Sequence, residues 1–463
     1  MLTAQLDPRD PESRIARLLD GGKFEFLIPR TDCGMVAVTG DIKGNKVVVF
    51  ASDATIKSGA LGVEGSKVIV TAYKAAMGAQ VPIIGIWHSG GARLSDGVAS
   101  LDAFGEVFQS MISASGRIPQ LSLVLGPTAG GGAYGPALTD IVVLSPEGRI
   151  FVTGPDVVKS VTGEDTDMAL LGGPEAHRKN SGLAHIIATD EDEAITDIRT
   201  LTDLFANQGF MNAEVNDIDL AAFVPQSKVR TYEVHPLVEA ILDTDAEHIE
   251  LLSMWAPNMT TVLGRLGGAT VGVLASNPAH IAGALDAAAG EKAARFVRTC
   301  DAFGIPLIVI ADVQGFLPGA GQEWEGAVRR GAKLLHAFGE AVVPRVTLIT
   351  RRAYGGAYVA MNSKALGATR VFAWPNAEVS VMGAVAAVRV LHRRILAGLP
   401  AEQREAMELE LAAEHEKISG GVTRAVEIGA VDEIIEPAKT RSALAKVIAQ
   451  APHRRGAHGN IPL

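Results

Sequence analysis

The stretch AGGGAYGPA at residues 129–137 decides the fold, because YGGAYVAMN at residues 354–362 repeats its pattern in the second half of the chain. Aligning the two stretches places Gly131 over Gly356, an offset of 225 residues. Further matched pairs share nearly the same offset, 223 or 224 residues: Asp20 with Asp243, Ser52 with Ser276, and Pro82 with Pro306. Unrelated matches would not share one offset by chance. The chain is therefore a duplicated domain with a glycine-rich turn at the same place in each copy.

The length of the chain fits this duplication. Its 463 residues are enough for about two to four ordinary domains, and the repeat indicates two. A polar stretch around residues 213–231, which includes Pro225, lacks clean periodicity and predicts the boundary between them. We therefore expect an N-terminal domain at residues 1–225 and a C-terminal domain at residues 226–463. The tail PHRRGAHGNIPL at residues 452–463 is expected to be an ordered or docking extension.

Charge and cysteine content exclude several classes of function. The formal net charge is −10, so the chain lacks the basic surface by which proteins bind nucleic acids. No apolar run approaches the roughly 20 residues that a membrane-spanning helix needs, and we expect no membrane segment. The two cysteines, Cys33 and Cys300, are too few for a four-ligand zinc ribbon, and no metal site is expected. A reducing, cytoplasmic compartment is the plainest interpretation.

Short apolar runs alternate with helical stretches in both halves of the chain. The runs predict buried strands at residues 47–50, 83–87, 121–124, 141–144, 271–274, 307–311 and 346–349. The stretches between them predict helices at residues 67–77, 101–113, 291–303 and 326–337, with a charged, solvated helix at residues 401–416. This alternation predicts an α/β fold with parallel strand pairing and right-handed crossovers.

Familiar catalytic motifs fail when their spacing is checked. GALGVEGSK at residues 59–67 ends Gly-Ser-Lys, whereas a phosphate-binding loop needs its lysine directly after the glycine. WHSGG at residues 87–91 has Trp87 where a nucleophile elbow needs glycine. His88 is a candidate base, but a lone histidine at the end of a strand is more often structural, and we favour that role. No carboxylate pair or Ser-His-Asp arrangement repeats in both halves.

The repeated glycine-rich turns are the strongest functional signal. Each follows a predicted strand and precedes a probable helix, so its backbone N–H groups lie at the positive end of the helix dipole. Such groups stabilise an oxyanion without side-chain chemistry. One such turn alone is better explained by close packing, but two at matched positions in a duplicated fold favour a function.

Two further loops are expected at the same edge of the first predicted sheet. SGGARLSDG at residues 89–97 follows the predicted strand at residues 83–87, and SGALG at residues 58–62 follows the strand at residues 47–50. Ligands of open α/β sheets bind at the carboxyl ends of the strands. Together the loops suggest an extended, anionic ligand, although each alone is equally well interpreted as an ordinary loop.

Several long segments carry a resemblance to a known family: SGGARLSDGVASL, ASGRIPQLSLVLGPTAGGGAYGPALTD, FVTGPDVVKSVTGED, EKAARFVRTCDAFGIPL and AYGGAYVAMNSKALGA. The strand, glycine-rich turn and helix resemble the crotonase superfamily of acyl-CoA enzymes. The duplicated form is similar to the carboxyltransferase (beta) subunit of biotin-dependent acyl-CoA carboxylases. Because the chain lacks the four N-terminal cysteines of the zinc-ribbon version, it resembles the zinc-free acetyl-/propionyl-CoA carboxylase type. The resemblance implies an α/β fold of two duplicated crotonase-like domains, each a ββα spiral.

The resemblance also implies roles for residues of the first half, which would hold acyl-CoA. The thioester oxygen would lie against the amides of Gly130 and Gly131, and the third glycine, Gly132, leaves this register open by one residue. The other implied acyl-CoA-binding residues are Ser58, Gly59, Ser89, Gly90, Gly91, Ala92 and Arg93. Trp87 and His88 stand where many relatives have a smaller polar pair, which puts the choice of substrate in doubt.

The second half would hold biotin, with its ureido oxygen against the amides of Gly356 and Ala357. Tyr354, Gly355 and Tyr358 would complete the biotin site. Val359 matches a position that tunes the choice of acyl chain in the family. A small apolar residue there is compatible with both acetyl and propionyl groups.

The resemblance implies an enzyme that moves CO2 from carboxybiotin to the α-carbon of acetyl-CoA or propionyl-CoA, giving malonyl-CoA or methylmalonyl-CoA for fatty-acid synthesis. The cofactor would supply the base, which agrees with the lack of a side-chain acid/base pair. The sequence has no lysine between two methionines, so biotin is expected on a partner. That partner would be an alpha subunit with a biotin carboxylase and a carrier domain. A homohexamer whose sites are shared between subunits is also implied.

Two alternatives stay open. The same fold and the same paired turns would serve a biotin-dependent decarboxylase or transcarboxylase subunit. A non-catalytic CoA-binding scaffold belongs to a different class of function, and it predicts that replacing Gly131 or Gly356 has no effect on function.

Overall fold

The computed structural model describes residues 7–227, 230–419 and 421–462. By its internal contacts the chain divides into two compact units. The first unit contains the residues up to Gln208, the segment Ile249–Trp255 and the tail from Ala457 onward. The second unit contains Gly209–His248 and Ala256–Gly456. The domain boundary predicted after residue 225 stays a prediction, although residues 209–225 share most of their contacts with the second unit.

The first unit is built on one twisted sheet. Its strand order is β1-β2-β3-β4-β5-β6-β8, with β7 paired to β5. The pairs β1–β2 and β2–β3 are antiparallel, and the pairs from β3 onward are parallel. The strands of this unit are β1 Phe24–Phe26, β2 Met35–Ile42, β3 Asn45–Ser52, β4 Ile83–Ser89, β5 Gln120–Ala129, β6 Ile141–Leu144, β7 Arg149–Phe151, β8 Ile186–Ile187 and β9 Ile249–Leu251.

Helices connect the parallel strands of the first unit, as right-handed crossovers require. They are α1 Pro11–Leu18, α2 Val63–Ala79, α3 Val98–Ala114, α4 Gly131–Ala137, α5 Pro155–Thr162, α6 Met168–Gly172, α7 Pro174–Ala176 and α8 Glu191–Ala206. The faces of α2 and α3 that turn inward carry apolar side chains such as Ile69, Tyr73 and Met111, which lie in one core with Phe50 and Trp87.

The second unit repeats this sheet in the order β16-β14-β13-β12-β11-β10, with β15 paired to β13. Its strands are β10 Met259–Leu266, β11 Ala269–Ser276, β12 Leu307–Val313, β13 Arg345–Tyr354, β14 Arg370–Ala373, β15 Glu378–Ser380 and β16 Glu433–Ile434. Its helices are α9 His235–Ile241, α10 Ala287–Phe303, α11 Ala320–Trp324, α12 Ala327–Glu340, α13 Gly355–Ala360, α14 Ala384–Leu391, α15 Arg393–Ala397, α16 Ala401–Ser419, α17 Val422–Glu427 and α18 Thr440–Gln450. None of the helices in the described part of the chain is long and apolar enough to cross a membrane.

The predicted strands and helices are confirmed in both units. Each predicted strand lies inside an observed one, and β11 and β12 are buried along their whole length, as their apolar sequences indicate. The predicted helices at residues 67–77, 101–113, 291–303 and 326–337 correspond to α2, α3, α10 and α12. The charged helix predicted at residues 401–416 is α16.

The duplication extends to single hydrogen bonds. Ser52 ends β3, and its Oγ accepts the N–H of His88 at 2.7 Å. Ser276 ends β11, and its Oγ accepts the N–H of Asp312 at 2.8 Å. Each hydroxyl also lies near the carbonyl of the residue two positions before its partner, at 3.3 Å in the first unit and 3.5 Å in the second. The same side-chain clamp therefore joins neighbouring parallel strands at their carboxyl ends in both units.

The C-terminal tail is part of the core of the first unit, which confirms the prediction of a docking extension. Asn460 is 1% exposed, and its Nδ2 donates to Oδ1 of the buried Asp140 at 2.6 Å. The other carboxylate oxygen of Asp140 accepts the N–H of Gln120 at 2.8 Å. The tail passes so close to Gly116 that a Cβ there would lie 2.1 Å from the carbonyl oxygen of His458.

Replacing Asn460 by alanine should destabilise the first unit, because the buried carboxylate of Asp140 loses one of its donors. A hydrogen bond to a charged group contributes about 1.5–3 kcal/mol, and we expect a lower midpoint of thermal unfolding by calorimetry. The exposed Pro462→Ala is the matched control in the same tail. An Asn460→Ala midpoint equal to that of the control would show that the tail does not stabilise this core.

Candidate active site

The first glycine turn joins β5 to α4. Gly130 has φ 57° and ψ −131°, a conformation that is open to glycine and strained for other residues. Its N–H donates to the carbonyl of Phe151 at 3.2 Å and so continues the pairing of β5 with β7. Gly131 and Gly132 follow in the first turn of α4, where a helix offers no acceptor. Within the described residues, their two N–H groups have no hydrogen-bond partner.

The second glycine turn, between β13 and α13, has the same backbone form. Gly355 has φ 59°, close to the value of Gly130. Gly356 and Ala357 occupy the first turn of α13, and no protein acceptor for their N–H groups exists in the described part of the chain. A Cβ added to Gly356 would meet only the Phe316 ring, at 3.8 Å. The strand, turn and helix predicted twice from the sequence are therefore present twice in the structure.

The structure brings the predicted acyl-CoA loops of the first unit together. Ser58 and Gly59 have φ 53° and 69°, and the N–H of Gly90 donates to the carbonyl of Ser58 at 2.9 Å. A Cβ on Gly59 would lie 2.0 Å from the carbonyl oxygen of His88, which explains the glycine. A Cβ on Gly91 would lie 2.9 Å from the carbonyl oxygen at the end of β5. Loops that are far apart in sequence thus meet at the first glycine turn.

Ala92 presents its amide away from the loop that it pairs with. Leu61 donates to the carbonyl of Gly91 and accepts from the N–H of Arg93, both at 2.8 Å. This parallel bridge between Leu61 and Ala92 directs the N–H of Ala92 to the opposite side, and no described residue accepts it. Ala92 is therefore a further amide donor beside the first turn.

The second unit contains the same arrangement around Phe316, a residue that the sequence analysis missed. Leu285 donates to the carbonyl of Gly315 at 3.0 Å and accepts from the N–H of Leu317 at 2.7 Å. Phe316 pairs with Leu285 as Ala92 pairs with Leu61, and its N–H likewise lacks an acceptor within the described residues. The offset of 224 residues between Ala92 and Phe316 was the signal that could have found it.

Two predicted acyl-CoA-binding side chains hold the loops in place. The Nη2 atom of Arg93 donates to the carbonyls of Cys33 at 2.7 Å and Ala60 at 3.2 Å. The hydroxyl of Ser89 accepts the N–H of Gly91 at 3.2 Å. Both side chains therefore fix the backbone around the first glycine turn.

The predicted biotin-side tyrosines are also hydrogen-bonded within the second unit. The hydroxyl of Tyr354 donates to the carboxylate of Glu378, and the hydroxyl of Tyr358 donates to the carbonyl of Ala430 at 3.2 Å. Burial, with a smaller contribution from Asp432, raises the pKa of Tyr358 and keeps it protonated. Val359, on α13 beside the second turn, has a side chain open to solvent.

His88 follows the clamp of the first unit and is held neutral. Its Nδ1 lies 3.5 Å from Nη1 of the buried Arg14. Burial, and then the positive charges of Arg14 and Arg9, lower the pKa of His88 to about 4. An imidazole with so low a pKa is a weak base at neutral pH, which agrees with the structural role favoured from the sequence.

The two units differ at the position after their clamps. Asp312 stands in the second unit where His88 stands in the first, and it is buried between two arginines. Its carboxylate oxygens lie 2.7 Å from Nε of Arg351 and 2.9 Å from Nε of Arg352. One unit thus keeps a neutral group behind its turn, and the other keeps an ion cluster.

Acid should destabilise the protein through His88. Its pKa lies below the ordinary value of 6.5 in the folded state, so the unfolded chain binds the proton first as the pH falls from 6.5 to about 4. The stability contribution is complete above pH 6.5 and is lost across this window. We expect the unfolding midpoint of His88→Gln to fall less steeply over this range than that of the unaltered protein. The same exchange at the exposed His336 is the control, and identical slopes for His88→Gln and the unaltered protein would contradict the prediction.

Two α/β spirals, each with a glycine turn that presents free amides, define a duplicated crotonase-type protein. Residues 21–458 match the family described as the carboxyl transferase domain, and the chain belongs to this family. The predicted fold class is thereby confirmed. The solved transcarboxylase 12S core has a TM-score of 0.90 and 35% sequence identity, with 97% of this chain and 92% of that chain covered.

The chain is also similar to curated bacterial proteins over nearly its whole length. It is 59% identical over 461 residues to the biotin-dependent acetyl-/propionyl-coenzyme A carboxylase beta6 subunit of Mycobacterium tuberculosis, covering 99% of this chain and 98% of the relative. It is 52% identical over 463 residues to the propionyl-CoA carboxylase beta chain of Rhodococcus erythropolis, covering 99% and 97%. The resemblance found in the sequence motifs is confirmed at the level of the family.

Proposed function

We propose that the protein is the carboxyltransferase subunit of an acyl-CoA carboxylase, which carboxylates the α-carbon of acetyl-CoA or propionyl-CoA. The observation that carries this proposal is the pair of glycine turns, one in each unit, whose helix-terminal amides lack acceptors among the described residues. The names of the similar proteins from Mycobacterium tuberculosis and Rhodococcus erythropolis agree with this substrate class.

In the first unit, the amides of Ala92 and Gly131 are proposed to bind the thioester oxygen, with Gly132 beside them. Gly130 was also a candidate, but its N–H already donates to Phe151, which favours the register of Gly131 and Gly132. The duplication supports the same choice, because Gly131 aligns with Gly356 and Gly132 with Ala357. The φ of Gly130 then serves to turn the chain into α4.

These amides account for the activation of the substrate. Removing a proton from the α-carbon places negative charge on the thioester oxygen, and preorganised N–H donors stabilise that charge more than they stabilise the neutral thioester. The helix dipole of α4 acts in the same direction. No described side chain beside the turn is placed as a base, since Arg93 and Ser89 are committed to backbone groups.

The second unit fits biotin, because its turn offers the amides of Gly356 and Ala357 and an open cradle over Gly356. When bound, biotin carries the carboxyl group and supplies the base for the α-proton. The amides of Gly356, Ala357 and Phe316 would bind the ureido oxygen, where negative charge develops as the carboxyl group leaves. Tyr354 and Tyr358 would line the site with their hydroxyls held in place by Glu378 and Ala430.

A biotinylated alpha subunit with a biotin carboxylase and a carrier domain is the proposed partner, and a cytoplasmic location is proposed for both. We also propose a homohexamer in which a site is shared between subunits. The similar transcarboxylase 12S core is described as a hexamer assembly, which supports the hexamer.

A transcarboxylase subunit is the second candidate, favoured by the TM-score of 0.90 to transcarboxylase 12S. The two functions differ in the origin of the carboxyl group. Carboxylation of acyl-CoA driven by ATP and bicarbonate in the presence of the biotinylated partner would support the carboxylase. Transfer that needs no ATP and takes the carboxyl group from a second carboxylated compound would support the transcarboxylase.

The paired turns can be tested with the full-length chain, malonyl-CoA or methylmalonyl-CoA, and free biocytin. We expect biocytin-dependent decarboxylation, and we expect Gly356→Pro to lower kcat by about 100- to 1,000-fold because proline removes an oxyanion donor. Gly131→Pro should have a similar effect in the first unit. Gly356→Ala is the matched control, since it keeps the N–H and its Cβ meets only the Phe316 ring at 3.8 Å.

Turnover in Gly356→Pro close to that of the unaltered protein would remove the second turn from the mechanism. Near-normal turnover in Gly131→Pro would do the same for the first turn. If both proline variants kept the activity, the non-catalytic scaffold would remain the better explanation.

Val359 is proposed to influence the choice between acyl groups. Val359→Asp should lower the use of acetyl-CoA relative to propionyl-CoA by about tenfold, the order of discrimination that one methylene can give. The ratio of kcat/KM for malonyl-CoA and methylmalonyl-CoA in the biocytin assay measures this. Val359→Ala changes the size of the side chain without adding charge and is the control. An unchanged ratio in Val359→Asp would exclude this position as a selector.

A further inference from the structure

A cavity of about 420 Å³ lies in the first unit beside the first glycine turn. Tyr134 and Ala137 on α4 form one wall, and Phe151 at the end of β7 forms another. Val158 on α5 and Leu171 on α6 close the remaining sides. The function proposed above uses none of these side chains.

The cavity and the glycine turn share their walls. α4 begins at Gly131, so the residues that line the cavity follow the proposed oxyanion donors within two turns of one helix. Phe151 accepts the N–H of Gly130 at 3.2 Å, which ties the second wall to the turn itself. An acyl group whose carbonyl oxygen binds at the turn therefore has an enclosed space directly beside it.

The lining of the cavity is suited to an aliphatic chain. Its histidine is already paired: Nδ1 of His177 lies 2.7 Å from the hydroxyl of Ser181, and Nε2 lies 3.0 Å from the carbonyl of Ile150. Burial lowers the pKa of His177, so this imidazole is neutral. Most of the other lining side chains are apolar, and within the described residues no carboxylate, lysine or arginine lines the space. A ligand with charged groups would find no counter-charge there.

We propose that this cavity binds the acyl chain of the thioester and that the protein accepts chains longer than propionyl. This inference rests on the function proposed above and extends its substrate class. A water molecule's share of liquid volume is about 30 Å³, so a single methyl group would leave most of the cavity empty. Apolar burial would then favour longer chains, with Ala137 setting the space available along α4.

Binding of unreactive thioesters tests the proposal without turnover. Calorimetry with the full-length chain would compare CoA, acetyl-CoA, butyryl-CoA and hexanoyl-CoA. We expect the Kd to fall about fourfold for each added methylene, which corresponds to about 0.8 kcal/mol. Ala137→Phe should abolish this gain by filling the cavity. Leu171→Ser, which leaves α4 unchanged, should reduce it by placing a hydroxyl against the chain.

Ala206→Phe is the matched control, because Ala206 is an exposed helical alanine outside the cavity. This variant should keep the dependence on chain length. A Kd for hexanoyl-CoA equal to that for acetyl-CoA in the unaltered protein would overturn the proposal and leave the carboxyltransferase function standing. A gain that persists in both Ala137→Phe and Leu171→Ser, or a loss of biocytin binding in these variants instead, would also overturn it. If neither CoA nor acetyl-CoA binds, the function proposed above fails together with this extension.

Discussion

A backbone N–H in the first turn of a helix has no acceptor inside that helix, and this constraint organises the whole molecule. α4 and α13 each begin at or directly after a glycine with φ near +60°, so their first amides emerge at the carboxyl edge of a parallel sheet. Everything around these amides fixes them in place without competing for them. The clamps formed by Ser52 and Ser276, and the bridges at Leu61 and Leu285, consume neighbouring polar groups and leave the helix-terminal ones free.

The duplication preserved this backbone device while the side chains behind it diverged. Both units keep the left-handed residues before the first long crossover helix, at Ser58 and Gly59 and at Ala282 and Gly283. Immediately after the clamp, however, one unit has the neutral His88 and the other has Asp312 with two arginines. Backbone donors tolerate such divergence because their positions depend on the fold and not on the identity of any one side chain. Two copies of one arrangement can therefore serve two different ligands.

Local signals in the sequence were sufficient to predict the strands, the crossover helices and both glycine turns. Apolar runs bounded by glycine or proline, and a shared offset between the halves, are visible without knowledge of tertiary contacts. The participation of Gly130 in the pairing with β7 was not predictable in this way, because its partner Phe151 is fixed by a strand that forms further along the chain. The amide of Phe316 was missed because a residue's backbone direction in a bridge leaves no trace in its side chain. Family resemblance, not periodicity, supplied the roles of biotin and CoA.

The tail around Asn460 gives the first unit an unusual dependence on time. Domains generally fold as they emerge during synthesis, the N-terminal one first. Here the buried carboxylate of Asp140 receives one of its donors from a residue near the very end of the chain. The N-terminal unit therefore reaches its final packing only after the second unit has been translated and the last residues have left the ribosome. Any ribosome that stalls within the second half leaves behind a first half whose core is unfinished, and quality-control proteases can recognise it by that defect.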